Sequence, residues 1–176
     1  ASTGGLGQVG QSGTLTVSAA GTVTGTYTTQ YQVAFSQSGL DSDAGAVTVL
    51  TVGASNYGYN ALPGATWYAS GTSYSWANPV TVNSTEQFTQ TGGSSGTISS
   101  SVVTVSATYQ KQFKVSFTAS GGLMTDSSAT IVTVAGVAKA SGALPFTTGW
   151  INNGSTVTWA FSSPVASLGD AVNTRY

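Results

Sequence analysis

The chain has 176 residues, neither cysteine nor histidine, and only nine charged side chains, four basic and five acidic. That balance argues against nucleic acid as a partner, since holding its phosphates needs a patch of clustered Lys and Arg. It also removes disulfides, thiolate chemistry and the Ser-His or Cys-His nucleophile pairs. No run approaches the roughly 20 apolar residues of a membrane-spanning helix, which argues against a pilin of the type IV kind with its hydrophobic N-terminal helix. Ser and Thr number 54 and Gly 23, yet Val, Tyr, Phe and Trp recur throughout. This is a folded, weakly charged chain of the kind found in secreted polymers and surface proteins. It opens on Ala1, as a mature exported protein would after cleavage, and an extracellular location is the expectation.

Residues 1–18, "ASTGGLGQVGQSGTLTVS", are polar and Gly-rich but carry Leu6, Val9, Leu15 and Val17. The plain reading is a frayed terminus. The sharper one is an extended arm, a donor strand whose apolar side chains sit in the core of another subunit. Leu15 and Val17 share a strand face; Leu6 and Val9 differ in parity and would need a bulge.

The lead-in "AAGTVTGT" (19–26) is followed by "YQVAFS", where Tyr31, Val33 and Phe35 alternate as one buried face of a strand. "AVTVLTV" (46–52) is denser, as in a strand buried on both faces. "TSYSWA" (72–77) alternates again, and "VTVNSTEQF" (80–88) closes the set. A second lead-in, "ISSSVVTVSAT" (98–108), introduces the same series once more. Phe113, Val115 and Phe117 again share a face, "ATIVTVAGV" (129–137) reads as a dense strand, and "STVTWA" (155–160) alternates. Tyr27, Gln30, Val33, Phe35, Ser38 and Gly39 match Tyr109, Gln112, Val115, Phe117, Ser120 and Gly121 at an offset of 82. Leu62-Pro63 matches Leu144-Pro145 at 82, Trp67 and Trp76 match Trp150 and Trp159 at 83, and Pro79-Val80 matches Pro164-Val165 at 85. All four Trp and all four Pro fall in matched pairs. The expectation is an all-β chain with an internal duplication of about 80 residues. Its halves span about 19–90 and 98–176, within a region 19–176 that follows the arm.

The carboxylates are Asp41, Asp43, Glu86, Asp126 and Asp170, and none stands in a catalytic motif. Asp41 and Asp126 follow the two Ser-Gly turns, where Asp is a turn former. "DSDAG" (41–45) has too few ligands for a calcium loop. Lys114 alternates with Phe113 and Val115 and should face solvent. The chain is read as no enzyme, without cofactor or metal. So few carboxylates also predict a fold that responds weakly to acid. "NST" at Asn83 and "NGS" at Asn153 are N-glycosylation acceptors, and N-linked glycans would supply the hydration that charges do not.

The pattern "YQVAFSQSGL … GTSYSWANPVTVNSTEQF" resembles repeated β-modules in exported proteins of thermoacidophilic archaea. With its Cys-free composition, unmatched arm and sequons, the chain resembles the subunits of archaeal threads, the non-type-IV surface filaments of Sulfolobales. The module motif covers about residues 27–88 and, more loosely, 109–165. The resemblance implies an immunoglobulin-like or pilin-like β-sandwich head completed by the N-terminal tail of the next subunit. The partners would then be copies of the chain itself, and other cells or surfaces in adhesion or biofilm formation. The second copy, ending in "VASLGDAVNTRY" (165–176), loses its alternation at Gly-Asp and leaves an edge open to a strand from elsewhere. The alternatives are a monomeric secreted adhesive or carbohydrate-binding module and a non-catalytic module of a secreted enzyme. Trp67, Trp150 or the Tyr57–Tyr59 pair could serve the former as sugar platforms, although the pairing of the Trp residues favours core positions.

Overall fold

A computed structural model describes residues 5–8, 20–22, 24–100, 104–120, 128–163 and 165. Among them the chain is all-β, in several sheets, with only two short 3-10 turns, Ser42–Ala44 and Ser141–Ala143. It divides into two compact units, residues 1–111 and 112–176.

The first unit holds β1 (Gly5–Gln8), β2 (Tyr27–Ser38), β3 (Leu50–Val52), β4 (Ser55–Tyr57) and β5 (Thr66–Ala69). It continues with β6 (Ser73–Trp76), β7 (Val80–Thr81), β8 (Glu86–Gly92), β9 (Gly96–Thr97) and most of β10 (Thr104–Phe113). Alternation along β2 buries Val33 and Phe35 and packs Tyr31 on the same core, as a period of two requires. β2 changes partner along its length. Tyr27–Gln30 lies antiparallel to β1 and Gln30–Val33 antiparallel to β5, while Ala34–Ser38 runs parallel to Thr104–Thr108 of β10. The resulting sheet has the order β1-β2-β10-β8-β7, and a second has the order β4-β3-β6-β9.

Both sheets feed one core, with Val33, Phe35, Leu50, Trp76, Phe88 and Tyr109 among its members. Phe35 is its hub. Tyr68, Tyr74 and Trp76 meet its ring at steep angles with centroids 6.0, 5.5 and 6.1 Å away, an arrangement that suits the ring quadrupoles. The Tyr109 hydroxyl reaches a partner by donating to the Ala77 carbonyl at 3.0 Å. At the end of β2, Gly39 has φ +91°, and a Cβ there would lie 1.9 Å from the Tyr109 carbonyl oxygen. Only glycine lets β10 come this close.

The second unit takes the last two residues of β10, then β11 (Ser116–Phe117), β12 (Thr130–Val134), β13 (Val137–Ala140), β14 (Phe146–Thr147), β15 (Ile151–Asn152) and β16 (Trp159–Phe161). Gln112 and Phe113 pair with β15, β11 pairs with β14, and the order β13-β12-β16 makes a third sheet. Two expectations need correction here. The run 129–137 is not one strand but most of a hairpin, turning at Ala135 (φ 49°) and Gly136 (φ 80°). The strand expected across Phe113–Phe117 breaks at Lys114–Val115. There the Thr148 side chain takes the Val115 N–H at 2.9 Å, in place of a ladder partner.

Registers recur between the units. Leu50, Thr51 and Val52 face Tyr57, Asn56 and Ser55, and Val132, Thr133 and Val134 face Lys139, Ala138 and Val137. Every number is 82 higher (Leu50 to Val132, Tyr57 to Lys139). The pair Ser116↔Thr147 likewise continues, 82 residues on, the register of Val33↔Thr66, one step further along that ladder. On the last strand the shift is 85, since Val52 faces Tyr74 and Val134 faces Trp159. Trp159 therefore stands where Tyr74 does, and Phe161 where Trp76 does. The sequence match of Trp76 with Trp159 is not a match of position.

Candidate functional site

Four of the chain's nine charged residues meet at Lys111 on β10. Its ammonium lies 3.3 Å from Asp41 Oδ2 and 2.8 Å from Glu86 Oε1, and it also pairs with Asp43. The Phe88 ring sits 5.3 Å below it. Asp41 acts as the turn former expected of it, its carboxylate accepting the Asp43 N–H at 2.9 Å. One cation thus ties the 41–45 loop and β8 to β10. Hydrogen bonding and charge from Lys111 hold the Asp43 carboxyl below its usual range. The hydrogen bonds that Lys111 donates to Asp43, then to Glu86, push its own value up, and burial raises Tyr109 to about 12 and moves Tyr68 the same way. Three of the chain's five carboxylates are occupied in this clamp. Among the described residues no His, Cys, Asp or Glu group is arranged to hold a metal ion.

A pH dependence follows from these directions. Asp43, depressed in the fold, gives stability that is present above about pH 4 and lost as the pH falls through its lowered value. Lys111, Tyr109 and Tyr68, all raised, give stability present below about pH 10 and lost as the pH rises. The Asp43 contribution is exposed and screened by salt, so it is small. The unfolding midpoint should stay nearly level from about pH 9 down to about pH 3 and drop steeply above about pH 10. A thermal scan across that range checks it; a steep acid loss would contradict it.

Both sequon asparagines are exposed at turns. Asn83 Oδ1 accepts from the Thr85 N–H at 2.8 Å and from the Thr85 hydroxyl at 2.9 Å. Asn153 lies beside Gly154 (φ 87°), in a turn closed by Ser155 N–H to the Asn152 carbonyl at 3.0 Å.

Large apolar side chains are exposed on both units, Tyr27, Val47 and Trp67 on the first and Val115, Val137, Trp159 and Phe161 on the second, where Val115 and Trp159 line a groove. The second unit's buried cluster is Phe117, Val132 and Val134, with Leu144, Phe146 and Val157 packed on it. The groove runs beside that cluster with a volume of about 340 Å³, lined by Phe113, Val115, Phe117, Ile151, Val157 and Trp159, with Asn153 on its wall. Val115 is 42% exposed where its first-unit match Val33 is 1%, and Trp159 is 60% exposed. Phe161 is exposed as well, although Trp76, at the matching ladder position, is buried. Lys114 is not simply solvated, since its ammonium sits 4.3 Å over the Trp150 ring. Core positions for the four Trp hold only in part: Trp76 is buried, Trp150 half-buried, and Trp67 and Trp159 exposed.

Of the residues assigned to a donor strand, Leu6 falls in β1, where the backbone stands opposite Thr29 of the same chain. Val9, Leu15 and Val17 lie outside the described residues. No helix among the described residues is long and apolar enough to cross a membrane. No protein-family profile, curated protein or solved structure matches the chain significantly. Function has to come from the site. Sequence reading missed Val115, Trp159 and Phe161 as exposed residues, because alternation marks an apolar face without saying what covers it.

Proposed function

We propose that the chain is the structural subunit of an extracellular cell-surface filament that polymerises head-to-tail by donating a strand to the next copy. In this reading the fold is an immunoglobulin-like or pilin-like β-sandwich, duplicated within the chain. The recurrence of two strand registers at an offset of 82 supports the duplication. The observation that carries the function is the contrast between the units. Positions sealed in the first, such as Val33 and Trp76, correspond to exposed Val115 and Phe161 in the second. An exposed apolar strip beside a segment, Thr118–Ser120, that has no neighbouring strand among the described residues suits strand addition, where main-chain hydrogen bonds give affinity and side-chain pockets give register. One strand and one groove on the same chain make a heterologous contact, which propagates. The likeness to archaeal thread subunits agrees with this, and adhesion or biofilm formation would be the role. The chemistry is association, with no catalysis and no cofactor.

N-glycans at Asn83 and Asn153 complete the reading, since a chain with nine charges needs other means of hydrating its surface. Natively purified protein should exceed the bare polypeptide mass of 17.6 kDa, and Asn83→Gln and Asn153→Gln should each remove one glycan. The bare mass would refute it. Negative-stain images of native material test the assembly itself: filaments support it, and single particles of one chain overturn it. A second reading, a monomeric secreted adhesive or carbohydrate-binding module, is favoured by the exposed rings of Trp67 and Trp159. Single particles that bind oligosaccharide would establish it.

A further inference from the structure

The strand that closes the first unit is written twice in the chain. β10 begins "TVSATY" (104–109), and 82 residues earlier the chain reads "TVTGTY" (22–27). In the first unit Thr104–Thr108 lies parallel to Ala34–Ser38. Hydroxyls meet along that ladder: Ser36 Oγ is 2.8 Å from Ser106 Oγ, and Ser38 Oγ is 3.4 Å from Thr108 Oγ1. Val105 packs on the core, and Tyr109 is a buried member of it.

The second unit carries the matching receiver. Ser116–Ser120, "SFTAS", stands 82 residues beyond Ala34–Ser38, "AFSQS". Thr118 and Ser120 repeat the hydroxyls of Ser36 and Ser38, while Thr24 and Thr26 repeat those of Ser106 and Thr108. Gly121 follows Ser120 as Gly39 follows Ser38, and glycine at 39 is demanded by the backbone of Tyr109. Occupancy is what differs. Tyr27 is 57% exposed against 4% for Tyr109. Thr22 and Thr24–Thr26 are exposed and outside any strand, and among the described residues no strand runs beside Thr118–Ser120.

We infer that Thr22–Tyr27 of one copy closes the second unit of another, adding in parallel along Ser116–Ser120 in the register that Thr104–Thr108 holds on Ala34–Ser38. This rests on the self-assembly reading above and places the joint in a segment that follows the 1–18 arm. The internal junction and the junction between copies are then of one kind. In each, the last strand of one unit continues as the first strand of the next, as β10 does where the first unit passes into the second.

Cysteine pairs test the register, because the chain has no cysteine of its own. Thr24→Cys and Thr118→Cys, both at exposed positions, are made in separate full-length chains, mixed, assembled and mildly oxidised. Facing residues on neighbouring strands have Cα atoms about 5 Å apart, within disulfide range. The mixture should give a covalent dimer at least about tenfold above the off-site pair Thr24→Cys with Thr147→Cys. A chain carrying both Thr24→Cys and Thr118→Cys should give a ladder of multiples. Filaments without the dimer would overturn this joint and leave the filament reading standing. A doubly substituted chain that oxidises only within itself would mean closure in cis and also overturns it. Absence of any assembly removes both.

Discussion

Gly39→Ala should lower the stability of the chain by about 3 kcal/mol, read as a drop in denaturant midpoint at unchanged slope. Two costs add. An L-residue at φ +91° pays about 1–2 kcal/mol. A Cβ placed 1.9 Å from the Tyr109 carbonyl oxygen and 2.8 Å from its carbon meets backbone, which cannot turn aside. Forcing extra atoms into such a contact typically costs about 1–3 kcal/mol more. The control is Gly71→Ala, where φ is +87° but nothing lies within 4 Å of the added atom, so only the backbone term of about 1–2 kcal/mol should appear. Equal losses at both positions would mean that close approach of β10 is not what glycine serves at 39.

Leu15→Asp with Val17→Asp should abolish assembly while leaving the unfolding midpoint of the single chain in place. These residues stand 82 before Thr97 and Ser99, on either side of the position of Ile98. Ile98 is a buried core residue, its backbone bonded twice to the turn before β6, through Ile98 N–H to the Thr72 carbonyl at 2.9 Å and Gly71 N–H to the Ile98 carbonyl at 2.8 Å. The offset of 82 sets Thr16 at the place of Ile98, so a donated segment that runs ahead of Thr22 brings Leu15 or Val17 to the corresponding place on the second unit when a bulge moves its register by one residue. An unpaired carboxylate in an apolar pocket costs several kcal/mol, and each 1.4 kcal/mol is about tenfold in affinity. Sedimentation at matched concentration reads the result. Filaments from the double variant would remove these two residues from the joint.

Much of the strand inventory was legible from alternation. Tyr31, Val33 and Phe35 do share one buried face, and Asp41 does form the turn its place after Ser-Gly suggested. What alternation could not carry was partnership. β2 exchanges β5 for β10 halfway along its length, a choice made by tertiary packing and not by the period of the side chains. The hairpin inside 129–137 hid because Val-Ala-Gly-Val keeps the apolar density of a strand through the turn, with Gly136 as its only mark. The Trp76–Trp159 match misled by two positions. Identical residue type outweighed the offset of 85 that Pro164-Val165 already indicated, and the ladder places Phe161 opposite Val132 as Trp76 is opposite Leu50. The site was half visible. Tyr27 and Tyr109 were paired in sequence, but the burial of one and the exposure of the other depend on which strand has a partner.

Hydrogen exchange of residues 118–120 in filaments and in single chains tests strand donation most directly. In the first unit Ala34–Ser38 is laddered by β10, and its amides supply an internal reference in the same sample. Strand donation predicts that the 118–120 amides exchange fast in the single chain and slow on assembly toward the protection of residues 36–38. Amides at 118–120 that exchange equally fast before and after assembly would contradict it.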